Sequence, residues 1–279
     1  MTSESFADYA IEMSEPELQR LLRLAAVGSD VVRTSCFLAG LGAGGRVVDV
    51  GCGALGALRD LAEMVGPSGQ VVGLDISREA LARARYTLDR IGLDWVQLRQ
   101  VDINSDSVAE EIRPAGPFDL AFCRLFLMHQ SNPAETLRKI ARIVRSGGMI
   151  IVHEPLYGLI AESQLPSAYS DGMKMFVDAI TARGGSPLVG GDMTRVALEA
   201  GLEIVRQFGY VPNNNGAGPI GFVAATIRST RAAIERLPQY SKEQVDNVLA
   251  ALDEAVHSGT YNRPMFTGVV VSVQLRVPG

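Results

Sequence analysis

What the chain has little of narrows its class before any motif is read. Cysteine occurs three times in 279 residues, at Cys36, Cys52 and Cys123. So sparse and odd a set supports neither a disulfide framework nor a four-thiolate zinc site, so reduced thiols and no metal are expected. Lysine occurs only as Lys139, Lys174 and Lys242, and 31 acidic residues outnumber 26 basic ones for a net charge of -5. With no basic stripe to neutralise phosphates, nucleic acid is not an expected partner. No apolar run approaches the roughly 20 residues that span a bilayer. The acidic opening MTSESFADYAIEMSEPE lacks the charged-then-apolar order of a signal peptide. The expectation is a cytoplasmic protein with no membrane partner, whose oligomeric state leaves a homodimer open.

What is present is a globular composition, 47% hydrophobic and 20% charged. Ser14, Pro16 and Glu17, followed by Leu18, Leu21, Leu22 and Ala25, predict an N-terminal helix, with a second short helix from Ser29 to Leu41. After the GAGG break, strands are expected over 46–50, 70–75, 95–101, 118–123 and 149–153. Helices are expected from about Leu55, over 77–91, near 107–113 and after Asn132-Pro133-Ala134-Glu135, an order of cap, first-turn proline and acid. Such alternation is the signature of right-handed βαβ units and a parallel sheet. Beyond residue 155 the rhythm changes. Helices are expected near 163–183 and 192–200, then a strand from Leu202 to Tyr210, a loop over 212–219, and two more helices, the second opened by Ser241 with Gln244. A last alternating strand from about Met265 to Val277 would put Thr267, Val269, Val271 and Val273 on one face.

The sharpest motif is Asp49-Val50-Gly51-Cys52-Gly53-Ala54-Leu55-Gly56, after a strand and before a helix. Glycines there let the backbone pass close to a ligand, and the free amides of a helix start offer donors. Gly51, Gly53 and Gly56 also satisfy the dinucleotide-binding spacing, so the loop alone does not choose its cofactor. Asp49, two residues before the first glycine, suits a cationic ligand. Asp75 ends the next strand, where a carboxylate can accept ribose hydroxyls. Asp102 follows the third strand, where it can meet an adenine amino group. For each acid singly, a turn or helix-cap role is the plain alternative.

Three strand-end carboxylates in register make the chain resemble the class I S-adenosylmethionine-dependent methyltransferase family, in its ubiquinone and menaquinone methyltransferase-like branch. The resemblance covers residues 46–155 well and the flanks loosely. It implies an α/β fold: a Rossmann-like, doubly wound, seven-stranded, mostly parallel sheet with an antiparallel last strand, plus N-terminal helices and a helical cap. It further implies S-adenosylmethionine as cofactor, held by Asp49, Gly51, Gly53, Asp75, Ile76, Asp102 and Ile103. The segment Phe118-Asp119-Leu-Ala-Phe-Cys-Arg124 matches the family's fourth strand and adds Arg124. Ile143-Val-Arg-Ser146-Gly-Gly matches the family's opener of the fifth strand, with Ser146 replacing proline. One departure is that a third glycine common at the position of Leu55 falls at Gly56. The expected division is a lid over 1–42, a cofactor-binding core over 43–155, a cap segment over 156–190, a core helix and strand over 191–211, a cap insertion over 212–263 and a final core strand over 264–279.

Methyl transfer from a sulfonium needs positioning more than reactive groups, though an oxygen nucleophile gains from a base. Histidine is the natural candidate. His129 and His153 follow the fourth strand and end the fifth, at the carboxyl edge where open α/β sheets bind ligands. Positioning is the alternative for His129, and Glu154 is no stronger a candidate than His153. His257 reads as a helix-end residue. Tyr9 as a lid over the cofactor and Arg33 as a partner for its carboxylate are weaker expectations, which helix packing explains as well. Tyr157, Tyr169, Met173, Met175 and Phe176 suggest a cap over a bulky, apolar small-molecule acceptor, or equally a core. The expected activity is methylation of an O, N or C atom, in bacterial secondary metabolism. The alternatives are a cofactor-binding protein that catalyses another reaction, and an NAD-dependent oxidoreductase. For the latter, no Tyr-x-x-x-Lys is found, and Tyr157 has no lysine at that spacing.

Overall fold

The computed structural model describes residues 15–157, 165–211, 218–259 and 269–279, so Tyr9 and Thr267 lie outside the described residues. Seven strands form one sheet: β1 (Arg46–Val50), β2 (Gln70–Asp75), β3 (Gln97–Gln100), β4 (Phe118–Arg124), β5 (Val144–Pro155), β6 (Glu203–Tyr210) and β7 (Val270–Arg276). Their order is β3-β2-β1-β4-β5-β7-β6, with β1 to β5 parallel and β7 antiparallel to both neighbours. The direction of winding reverses between β1 and β4, which opens a crevice at their carboxyl ends. This is the expected doubly wound sheet with an antiparallel last strand.

The helices are α1 (Glu15–Leu38), α2 (Leu58–Val65), α3 (Arg78–Arg90), α4 (Val108–Ile112), α5 (Pro133–Ala141), α6 (Ser167–Ala182), α7 (Met193–Glu199), α8 (Gly218–Ile234) and α9 (Lys242–His257). Local chemistry starts several of them. The Asn132 side chain accepts the Glu135 N–H at 3.1 Å, ahead of Pro133. Ser241 and Gln244 form a reciprocal capping box.

Alternation along the strands sorts the core into two layers. Val47, Leu120, Phe122 and Ile151 face α1, α2 and α3. Val48, Ala121, Cys123, Ile150 and Val152 face the other side, where α4, α5 and α7 pack, and that layer continues into α6, α8 and α9.

Two expectations need correction. One continuous α1 replaces two helices, because Gly28 is retained inside it: the Arg124 guanidinium occupies the space a Cβ would need. A helical glycine costs about 1 kcal/mol against alanine, and close packing offsets that. Strand β5 begins at Val144, running through the glycines with a register shift between Phe118 and Leu120 of β4. The last strand alternates as expected, with Val271 and Val273 in one layer and Ser272 and Gln274 under α1, where they bond Ser35.

Candidate active site

The loop after β1 is anchored on β2, with the Gly51 and Cys52 N–H groups donating to Leu74 O at 2.8 and 3.0 Å. Asp49 is buried and accepts the Ala57 N–H on Oδ2 at 2.9 Å. The carboxylate therefore closes the loop from inside through Oδ2. Burial pushes its carboxyl up to about 7, against the Ala57 N–H and the Arg124 charge, which pull it down. The displaced third glycine now has a reason. At Gly56, φ is +51°, and a Cβ would stand 2.5 Å from Cys52 O and 2.7 Å from Asp49 Oδ2, while Leu55 is buried in the core. Gly51 is required as well, because the Phe126 ring takes the place of its Cβ, whereas around Gly53 the space is open.

Asp75 and Asp102 stand side by side at the ends of β2 and β3, tied by the Val101 N–H to Asp75 O at 3.1 Å. Asp75 accepts the Gly53 N–H on Oδ2 and the Ser77 N–H on Oδ1, both at 2.8 Å. A carboxylate oxygen accepts more than one hydrogen bond, and a strand-end carboxylate so placed fits a pair of ribose hydroxyls. Burial raises its carboxyl, and the backbone donors partly offset this. Asp102 accepts the Asn104 N–H at 2.8 Å and is half-buried. Ile76 is half-buried beside Asp75, and its carbonyl takes the Gln100 side-chain amide at 3.1 Å. Ile103 is buried in the core. The open space at Gly53, the glycine loop and these two acids suit an adenosyl cofactor.

Arg124 ends β4 over the glycine loop, bonding Gly56 O at 3.3 Å and lying against Gly28 of α1. It sits at the loop. Arg33 does not: Asp60 and Glu63 of α2 engage its guanidinium, and Ser29 donates to Asp60 at 2.6 Å. The buried Asp60, which sequence reasoning passed over, staples α1 to α2.

His153, expected to be catalytic, is corrected by its environment. It is fully buried, with Nε2 3.0 Å from Ser35 Oγ and its ring 5.0 Å from that of Phe122 and 5.5 Å from that of Tyr210. Burial, reinforced by the Arg124 charge, lowers its imidazole to about 3. A ring sealed from ligands that takes up a second proton only at strongly acid pH is no base for neutral chemistry. His129 is half-buried at the end of a 3-10 turn, Leu127–His129, at the carboxyl edge. His257 sits at the end of α9, its Nδ1 2.7 Å from Asp253 O.

Glu154 points to the opposite face from His153. Its Oε1 accepts the Phe126 and Leu127 N–H groups at 2.8 and 2.6 Å, and burial pushes its carboxyl up to about 8 despite them. Tyr169, Met173, Met175 and Phe176 are buried in the core. Tyr157 is half-buried, with its ring edge-on to Phe176. Among the described residues no helix is long and apolar enough to cross a membrane, and no cluster could hold a metal ion.

A family model described as Methyltransferase domain matches residues 41–184. An uncharacterised 37.1 kDa protein in transposon TN4556 of Streptomyces fradiae is 29% identical over 165 residues, 58% of this chain and 44% of that one. A ubiquinone biosynthesis O-methyltransferase of Azoarcus sp. is 28% identical over 238 residues, 81% of this chain and 91% of that protein. The chain spans about half the length of most other curated relatives it matches. Among solved structures, a provisionally assigned methyltransferase of Bacillus halodurans has a TM-score of 0.58 at 17% identity, covering 88% of this chain and 98% of that one. The 4+2 cyclase SpnF has a TM-score of 0.53 at 18% identity, covering 90% and 81%. At these identities the structural likeness is one of fold.

Proposed function

The chain belongs to the methyltransferase-domain family, in its class I S-adenosylmethionine-dependent form, and from that premise we propose that it methylates an O, N or C atom of a bulky apolar small molecule, as a cytoplasmic enzyme of bacterial secondary metabolism. The observation that carries the cofactor half is the pairing of Asp75 and Asp102 beside the open space at Gly53. The cofactor supplies an electrophilic methyl on a sulfonium. Asp75 binds the ribose, Asp102 and Ile76 hold the adenine, the Arg124 guanidinium beside the glycine loop holds the amino-acid end, and Asp49 keeps the loop in shape. The half-buried His129 at the carboxyl edge is the remaining candidate to orient or deprotonate an acceptor. For the acceptor, the support is the helical layer of α6, α8 and α9, whose apolar residues adjoin Tyr157 and the end of β5.

A second reading keeps the cofactor site without methyl transfer, since a cyclase has this same fold. Calorimetric titration with S-adenosylhomocysteine, and separately with NAD, tests the cofactor. Asp75→Ala is expected to weaken S-adenosylhomocysteine by about 1.5 to 3 kcal/mol, the cost of losing hydrogen bonds to a charged acceptor. Unchanged affinity would sink the assignment of Asp75. Label transfer from the methyl donor to a panel of hydrophobic phenols and amines then separates a transferase from the second reading.

A further inference from the structure

Strand β4 ends at Arg124, and the chain then turns back toward α5. It does so through Leu125 at φ +54°, a left-handed conformation that a leucine keeps only when its surroundings over-determine it. Three bonds from β5 do this. The Leu125 N–H donates to His153 O at 2.8 Å, and the next two N–H groups, of Phe126 and Leu127, converge on Glu154 Oε1. Glu154 is fully buried in the apolar layer, and its Oε2 has no partner among the described residues. A carboxyl in such a place is costly, so its presence calls for a role.

The turn carries two parts of the candidate site. The Phe126 ring packs against Gly51, taking the space of an absent Cβ, and so forms one wall of the cofactor loop. His129 closes the same turn, its N–H donating to Phe126 O at 3.0 Å. We propose that Glu154 is a positioning residue: by clamping the turn over 125–129 from β5, it sets Phe126 against the glycine loop and His129 at the sheet's carboxyl edge. This rests on the cofactor reading above.

The test uses the full chain as wild type, Glu154→Gln and Glu154→Leu, titrated with S-adenosylhomocysteine, with hydrogen exchange followed at the amides of residues 126 and 127. Glutamine keeps a carbonyl acceptor, so its Kd is expected within about twofold of wild type, with both amides still protected. Leucine removes the acceptor: both amides exchange faster and Kd rises about tenfold or more, as small misplacements of a site commonly do. Wild-type affinity in Glu154→Leu, or an equal loss in Glu154→Gln, would overturn the proposal. If Glu154→Leu shows no cooperative melting, Phe126→Ala takes its place. There the clamp is intact but the wall is gone, so about tenfold weaker binding is expected, and unchanged affinity refutes the proposal. Wild-type silence toward S-adenosylhomocysteine would remove the cofactor reading and this inference with it, whereas failure in the variants alone leaves that reading standing.

Discussion

His153 and Glu154 are neighbours on one strand, both fully buried, and they serve opposite faces of the sheet. Under α1, His153 joins a polar set with Ser35, Ser272 and Arg124 nearby. On the other side, Glu154 accepts only backbone amides of the β4 turn. Each leaves one atom, Nδ1 and Oε2 respectively, without a partner among the described residues. Burial acts on them in opposite directions, lowering His153 to about 3 and raising Glu154 to about 8, so both are neutral at pH 7. A buried titratable residue is thus defined by the face it is sent to and by the proton it no longer exchanges. Its place at a strand's carboxyl end does not define it.

The largest effect that sharpens this contrast is on stability against pH. Glu154 holds its proton in the folded state up to about 8 but ionises near 4.5 when unfolded, so its contribution falls as pH rises between those values. His153 is the reverse: the unfolded state takes the extra proton between about 3 and 6.5, so its contribution rises with pH across that window. At roughly 1.4 kcal/mol per unit, each contribution is on the order of 5 kcal/mol. Guanidinium unfolding of Glu154→Gln is expected to gain on wild type by that order between pH 4.5 and 8, and parallel curves would break the contrast.

Next in size is His153→Ala, which leaves a cavity and takes from the Ser35 hydroxyl one of its two partners, Ser272 remaining. It is expected to cost about 2 to 4 kcal/mol in stability while S-adenosylhomocysteine affinity below the melting temperature stays within about threefold, a shift under 1 kcal/mol. A large loss of affinity would restore His153 to the site. The smallest effect is expected at the exposed end of the α1 staple. Arg33→Ala removes partly exposed ion pairs and should cost under about 1 kcal/mol in thermal melts, less at high salt. A larger effect would mean that α1 depends on Arg33 more than on Ser35 and Gln274.

Much of the fold was legible from local signals. The β1 to β5 alternation, the caps at Asn132 and Ser241 and the acids at 75 and 102 depend on neighbours a few residues away, which a single sequence displays. The continuity of α1 was not legible, because Gly28 is accommodated by an arginine almost a hundred residues later. Nor was the hold of Glu154 on Phe126, which needs β4 and β5 paired and Leu125 turned left-handed.

By itself the sequence determined the sheet's alternating elements, the glycine loop and the strand-end carboxylates, since these follow from periodicity and from backbone freedom at particular residues. Only the tertiary structure decided which buried groups keep water, protons and ligands within reach. Desolvation is a property of everything packed around an atom, and for His153 and Glu154 that surrounding comes from α1, β4 and β7, far away along the chain.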